Sequence, residues 1–350
     1  MRASLRNILI VLSLFYSSLH GQEYLIPDLL SIEDGLLSHS VSCVLIDERG
    51  FLWAGTKNGL NRYNGYRFRP FFSSVSGNGY PGIQLTLKLR TDQKGNLWVL
   101  NSGGFNSIDN ETGEIRRYPV TIFDANFNRV SRFIDIYPSP DGLVWILSDR
   151  SLTALSADNT FTTWPLPPEM LQNATTPTAL AADNRGNVWI GTNHGLILFS
   201  VNQKVFKEIV GAGVQGLLSN NDVTCLYIDS QNFLWVGTRL GLNYIDPVDY
   251  EFYPYYPSGT HSNEPSNNIL SITGTPSGEF LMATGGGIIR FDPASLQFEN
   301  LYPTVDTTIN SVAIDLMGNI WAATDLGILK IRKSRLPFIN VSSRSAALKS

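Results

Sequence analysis

The stretch Ile46-Asp47-Glu48-Arg49-Gly50-Phe51-Leu52-Trp53-Ala54-Gly55-Thr56-Lys57-Asn58-Gly59-Leu60-Asn61-Arg62-Tyr63 contains two turns and the strands that flank them. Asp47 is a side chain that accepts hydrogen bonds from its own turn, and Gly50 tolerates positive φ, so the residues after Ile46 specify a tight hairpin. The alternating run Val41-Ser42-Cys43-Val44-Leu45-Ile46 before that turn and Phe51 to Thr56 after it read as strands A and B. Gly59 marks a second turn and opens strand C. A ragged fourth strand carries an aromatic at Phe68, and the unit is predicted to be a four-stranded antiparallel meander.

The pattern recurs along the chain. Trp53, Trp98, Trp145, Trp189, Trp235, Leu281 and Trp321 occupy the same slot at intervals of 45, 47, 44, 46, 46 and 40 residues, and of the tryptophans only Trp164 lies outside this register. Six residues before each anchor stands Asp47, Asp92, Ser139, Asp183, Asp229, Thr275 or Asp315. Three before it stands glycine, or Asn232 in the fifth copy. Two beyond it, Gly55, Gly191, Gly237, Ala283 and Ala323 suit close packing against the next unit's aromatic, whereas Leu100 and Leu147 depart from this. A single meander leaves both faces apolar and its edges unpaired, so the units must stack and close into a ring. The expected fold is all-β: a seven-bladed β-propeller of four-stranded antiparallel blades. Closure is assigned to the N-terminal segment Glu23-Tyr24-Leu25-Ile26 as the outer strand of blade seven, with Phe338-Ile339-Asn340-Val341 the rival for that place.

Bulk properties narrow the function. With 43% hydrophobic and 11% aromatic residues the 350-residue chain can bury a large core. A formal charge of -4 with no basic run argues against a nucleic-acid partner. Arg2 and Arg6, the apolar stretch Ile8 to Tyr16 and the small Gly21 read as an export signal, shorter than the roughly 20 residues that span a bilayer. The expected division is residues 1–21 signal peptide, 22–335 propeller and 336–350 a tail or the start of a following domain, in a periplasmic protein. Cys43 and Cys225 lie in matching contexts, Gly35 to Cys43 and Gly216 to Cys225, and so in equivalent slots of different blades. Slots four blades apart cannot meet the roughly 7 Å Cα limit of a disulfide, so two buried free thiols are expected.

Residues 46–63, Asp183 to Leu196 and Asp229 to Leu242, with the opening Ile32-Glu33-Asp34-Gly35-Leu36, resemble the two-component-regulator propeller repeat. They are similar to the periplasmic sensor half of hybrid two-component systems of Bacteroidetes. The resemblance runs from about Glu23 to Ile331 and implies a sensor of carbohydrate fragments coupled to an inner-membrane histidine kinase. Such relatives continue into a second propeller, an immunoglobulin-like domain, a membrane helix and kinase, receiver and DNA-binding domains, none of which stands in these 350 residues. The resemblance therefore implies action through downstream domains, and a homodimer formed through them.

No catalytic motif competes with binding. Gly77 to Gly82 and Gly211 to Gly216 match a dinucleotide glycine pattern but open no helix, and read as connections between blades. His39, His194 and His261 can hardly supply a three-histidine zinc site, and neither HExxH, CxxC nor GxSxG occurs. Neither a cofactor, a metal nor a catalytic residue is expected, although some propellers resembling streptogramin lyases use histidine and glutamate over the ring centre. A protein-interaction scaffold and a propeller lyase are the alternative functions.

In a meander ring the D-to-A connections and B-to-C turns share one rim, where a ligand is expected. The long connections Ser73 to Leu85, Trp164 to Thr178 and Tyr253 to Asn268 bring Tyr80, Trp164, Tyr255 and Tyr256, flat surfaces suited to stacking on a sugar ring or to lidding the blades. The B-to-C turns bring Lys57, Asn58, Asp149, Arg150, Asn193, His194 and Arg239. A turn needs only glycine and small polar residues, so charged side chains there are candidates for a ligand's polar groups. Arg239 is the first choice for a carboxylate or sulfate.

Overall fold

The carboxylate that opens each A-to-B turn holds the turn and the anchor together. One oxygen of Asp47 accepts the amides of Arg49 at 3.0 Å and Phe51 at 2.8 Å, and the other accepts the indole N–H of Trp53 at 2.8 Å. The same carboxylate–indole bond joins Asp92 to Trp98 (3.0 Å), Asp183 to Trp189 (3.3 Å), Asp229 to Trp235 (2.8 Å) and Asp315 to Trp321 (3.0 Å). The spacing of six thus satisfies a polar atom of a large side chain that is otherwise committed to the core. Where serine or threonine replaces the aspartate, the hydroxyl closes the turn instead: Ser139 donates to Leu143 O and Thr275 to Glu279 O, each at 3.0 Å. Asn232 stands in the glycine slot with φ of 68°.

The computed structural model describes residues 24–71, 85–119, 132–172, 174–210, 218–246, 251–260, 262–304 and 307–334. The expected export signal and the rival segment Phe338 to Val341 lie outside the described residues. Within them the strands assemble into seven four-stranded antiparallel sheets, six of which follow chain order. In blade one strands A to D are Val41–Ile46, Leu52–Thr56, Gly59–Tyr63 and Phe68–Pro70. The inner A strands of blades two to seven are Thr86–Thr91, Phe133–Pro138, Pro177–Ala182, Val223–Ile228, Ile269–Gly274 and Ile309–Ile314.

Blade seven closes the ring. Its strands Ile309–Ile314, Ile320–Thr324 and Gly327–Ser334 take Tyr24–Leu30 as the fourth, in register from Tyr24 opposite Ser334 to Leu30 opposite Ile328. Pro27 is tolerated there because an outer strand has one unpaired edge. A second closure runs at the axis, where Asn310 Nδ2 donates to Val41 O at 2.8 Å and Val44 N–H donates to Ser311 Oγ at 3.4 Å. Ser42 to Thr86 O, Thr178 to Val223 O and Thr224 to Ile269 O repeat this side-chain stitch between successive inner strands.

Seven apolar clusters fill the structure, each shared by two adjacent blades; Leu30, Val44, Phe68, Trp321 and Ile328 pack together across the seam. The small slot beyond the anchor faces the next inner strand rather than an aromatic. A Cβ on Gly55 would come within 2.7 Å of Thr86 Cγ2, and one on Gly237 within 2.9 Å of Ile269 Cγ2. Aliphatic inner strands, not rings, set the distance between blades.

Replacing Asp47 with alanine strands the buried Trp53 indole and two turn amides. The expected loss is about 2–3 kcal/mol in urea unfolding, against about 1 kcal/mol for Ser139→Ala, which removes no indole acceptor. Equal losses for the two would contradict the carboxylate's double role.

Candidate functional site

Three residues beyond five of the seven anchors, a buried threonine shapes the B-to-C turn; Asn101 and Ser148 take that place in blades two and three. Thr56, Thr192, Thr238, Thr284 and Thr324 donate to the carbonyls of Gly59, Gly195, Gly241, Gly287 and Gly327 at 2.8–3.0 Å. The same hydroxyls accept the amides of Asn58, His194, Leu240, Gly286 and Leu326. In blades one to six the first residue of the turn then ties it to the incoming D-to-A connection: among them Lys57 N–H donates to Ser40 O, Asp149 to Arg132 O, Asn193 to Thr176 O and Arg239 to Asp222 O. Turns and connections therefore form one stitched rim, as the meander requires.

Several predicted site residues are parts of this stitching. Asn193 Oδ1 accepts the Thr176 amide at 2.7 Å and its Nδ2 donates to Ala174 O at 3.1 Å. Asn58 Nδ2 donates to Leu37 O, and Asp149 accepts the Arg132 amide. Arg239 pairs with Asp222 while its side chain stays 64% exposed. Lys57 and Arg150 are exposed, and His194 is half-buried with Nδ1 lacking a hydrogen-bond partner.

The aromatics divide. Trp164 lies in the outer strand Phe161–Pro165 of blade three, with its ring 5.0 Å from Phe199 and 5.9 Å from Trp145. Tyr255 ends the outer strand Phe252–Tyr255 of blade five and packs against Phe291 at 5.8 Å and Trp235 at 6.2 Å. Both rings are built into blade interfaces. Tyr256 reaches the B-to-C turn of its own blade, where a Cβ on Gly241 would meet its ring at 3.1 Å, so the ring packs on the turn that also carries Arg239. Lys57, Arg150 and His194 are distributed to blades one, three and four. Tyr80 and His261, with both glycine-rich strings, lie outside the described residues.

Two buried asparagines, unread in the sequence, organise the same rim. Asn61 accepts the Leu37 amide and donates to Ala54 O; Asn243 accepts the Ser219 amide and donates to Val236 O. The signal was the polar residue inside the apolar runs Gly59-Leu60-Asn61 and Gly241-Leu242-Asn243.

The other feature is axial. A cavity of about 1160 Å³ follows the inner strands and extends to the A-to-B turns of blades five and six and the C-to-D turn of blade six, the end opposite the stitched rim. Lys88, Arg90, Asp135, Tyr137, Cys225 and Tyr227 line it. Asp135 is nearly inaccessible; its oxygens accept the amides of Ile136 at 2.8 Å and Leu180 at 3.1 Å, and Arg90 stands 3.8 Å away. Burial raises the Tyr227 phenol to about 12 and also raises Tyr137. Cys43 and Cys225 are free and buried; desolvation raises both thiols, Cys225 to about 11.

The family model for the two component regulator propeller matches residues 35–58, 171–194 and 217–239. Each match runs from a D-to-A connection to a B-to-C turn, the parts bonded together at the rim. The chain carries two component regulator propeller repeats. Over 90% of this repeat propeller the fold is similar to the extracellular domain assigned to a hybrid two component system of B. thetaiotaomicron, at 25% identity and a TM-score of 0.68. A second such extracellular domain from the same organism matches 88% of the chain at 20% identity with a TM-score of 0.64. The repeat propeller spans 42% and 40% of those two chains. Virginiamycin B lyase from Staphylococcus aureus shares the fold over 89% of this chain and 99% of its own, with a TM-score of 0.65; at 15% identity the likeness speaks to architecture alone. No curated protein matches the sequence.

The two classes of rim residue respond differently to truncation. Asn193→Ala should cost about 1 kcal/mol and deprotect the Thr176 amide in hydrogen exchange, whereas Arg239→Ala, an exposed ion pair, should stay within about 0.5 kcal/mol of the parent. A large loss for Arg239→Ala would make that residue structural. At pH 8 a thiol of pKa about 11 holds roughly one thiolate in a thousand. Iodoacetamide should therefore modify native Cys225 far more slowly than the urea-unfolded chain, with a rate that rises toward pH 11. Equal rates at pH 8 would contradict its burial.

Proposed function

We propose that this propeller is an extracytoplasmic sensor module that recognises an oligosaccharide at the rim of B-to-C turns and D-to-A connections, and acts by binding rather than by chemistry. The observation that carries the reading is the pairing of the repeat match with a 25% identical extracellular domain of a hybrid two component system, aligned over nearly the whole chain. Rim chemistry supports it. Turn backbones are fully occupied by stitching, which leaves Arg239, Lys57 and Arg150 as exposed side chains on a rigid frame. At blade five the guanidinium and Tyr256 offer a charged donor and an aromatic ring at one turn, the pairing that a sugar with an acidic or hydroxyl-rich edge uses. Arg150 and His194 extend the same rim through blades three and four.

In this reading the signal passes from the rigid ring to downstream domains, which also provide the contacts of a homodimer. A thermal-shift screen of oligosaccharides tests the proposal, because a ligand at 100 times its Kd stabilises the native state by about 2.7 kcal/mol. The expected result is a shift with one glycan class, weakened about tenfold in Kd by Arg239→Ala through loss of a charge-assisted contact. The absence of a shift with every glycan, or a ligand insensitive to Arg239, would overturn it. Turnover of a ligand, lost in His194→Ala, would favour the lyase alternative.

A further inference from the structure

A charge imbalance inside the axial cavity points to a second site, independent of the rim and its oligosaccharide. Blade two is unusual in placing two cations on its inner strand, Lys88 and Arg90, at slots where the other blades carry small, apolar, phenolic or hydroxyl side chains, apart from Asp135 at the Lys88 slot of blade three. Both line the cavity. Arg90 is balanced by the buried Asp135, yet only loosely at 3.8 Å, because both oxygens of that carboxylate already accept backbone amides. Lys88 has neither an ion pair nor a hydrogen bond among the described residues. It lines the cavity together with Cys43 of the neighbouring blade and Cys225 across the axis. An uncompensated ammonium in a partly enclosed cavity is unfavourable until an anion or ordered water meets it.

The rest of the wall narrows the anion. The same cavity wall carries neutral hydrogen-bonding groups: the phenols of Tyr137 and Tyr227, and the buried Ser271 hydroxyl, which has no partner. The Tyr227 hydroxyl occupies the space that a Cβ on Gly274 would fill, at 2.1 Å, so the glycine makes room for it. Toward the mouth the sign reverses, with Asp229, Glu279 and Asp292 on the turns of blades five and six. Positive depth behind an acidic mouth admits one negative group and repels a chain of them. We propose that the axial cavity binds a small hydroxylated monocarboxylate, such as a single sugar acid, with its carboxylate between Lys88 and Arg90 and its hydroxyls toward the phenols and Ser271.

Isothermal titration of the full chain with D-galacturonate, D-gluconate and pyruvate, against neutral D-galactose and a polysulfated heparin disaccharide, tests this directly. At least one of the three monocarboxylates should bind, with galactose silent and the disaccharide weaker. Lys88→Met, which keeps side-chain length and leaves the Arg90–Asp135 pair in place, should weaken binding about tenfold or more, while Lys88→Arg restores it and the exposed Lys94→Met has no effect. Circular dichroism and the unfolding midpoint of each variant report its fold. No binding of any monocarboxylate, undiminished binding in folded Lys88→Met, or tighter binding of the polyanion would each overturn the inference.

Discussion

A carboxylate shared between a turn and an indole is the interaction on which the rest of this structure depends. An anchor tryptophan brings a large apolar ring to a blade interface together with a polar N–H donor, which meets a carboxylate in five blades and lacks one in blade three, where Ser139 precedes the buried Trp145. Placing aspartate six residues earlier serves both the turn and the indole, since the hairpin returns the indole to the start of its own turn. The bond fixes the register of strands A and B and, through the ring of the tryptophan, the face presented to the next blade. Blade six, with Thr275 and Leu281, shows the converse: without an indole there is no call for a carboxylate, and a hydroxyl suffices to close the turn.

Ring closure then distributes chemistry between the two ends. On one rim the B-to-C turns of blades one to six are bonded to the connections entering their blades, so that end is a rigid frame from which a few side chains project. At the other end turns of blades five and six border a cavity whose depth holds Lys88 and Arg90 and whose edge is acidic. The seam is doubly secured, by an outer strand from the start of the chain and by Asn310 and Ser311 at the axis. A ring packed and closed in this way moves as a unit.

Most of the architecture was legible because it recurs. Tryptophan spacing, turn aspartates and glycines are local signals, and Tyr24 to Leu30 stood at the distance of an outer strand. The partners of those residues were less legible, since they are set by contacts between blades. Nothing local says that Asp47 serves Trp53 as well as its own turn, or that Gly55 faces Thr86 rather than a ring. At the rim, the sequence located the turns but could not separate Asn193, which is bonded on both sides, from Lys57, which is exposed. The axial site went unread for a different reason. The run Leu87-Lys88-Leu89-Arg90 alternates as a strand with a solvated face would, and only closure of the ring turns that face toward an enclosed axis.

Hydrogen exchange of the indole N–H groups tests the central claim most directly. If the aspartate–indole bonds hold one cooperative ring, the signals of Trp53, Trp98, Trp189, Trp235 and Trp321 will be strongly protected and will lose protection together, at the denaturant concentration where the whole molecule unfolds. Five indoles that exchange at separate, lower concentrations, blade by blade, would contradict the account.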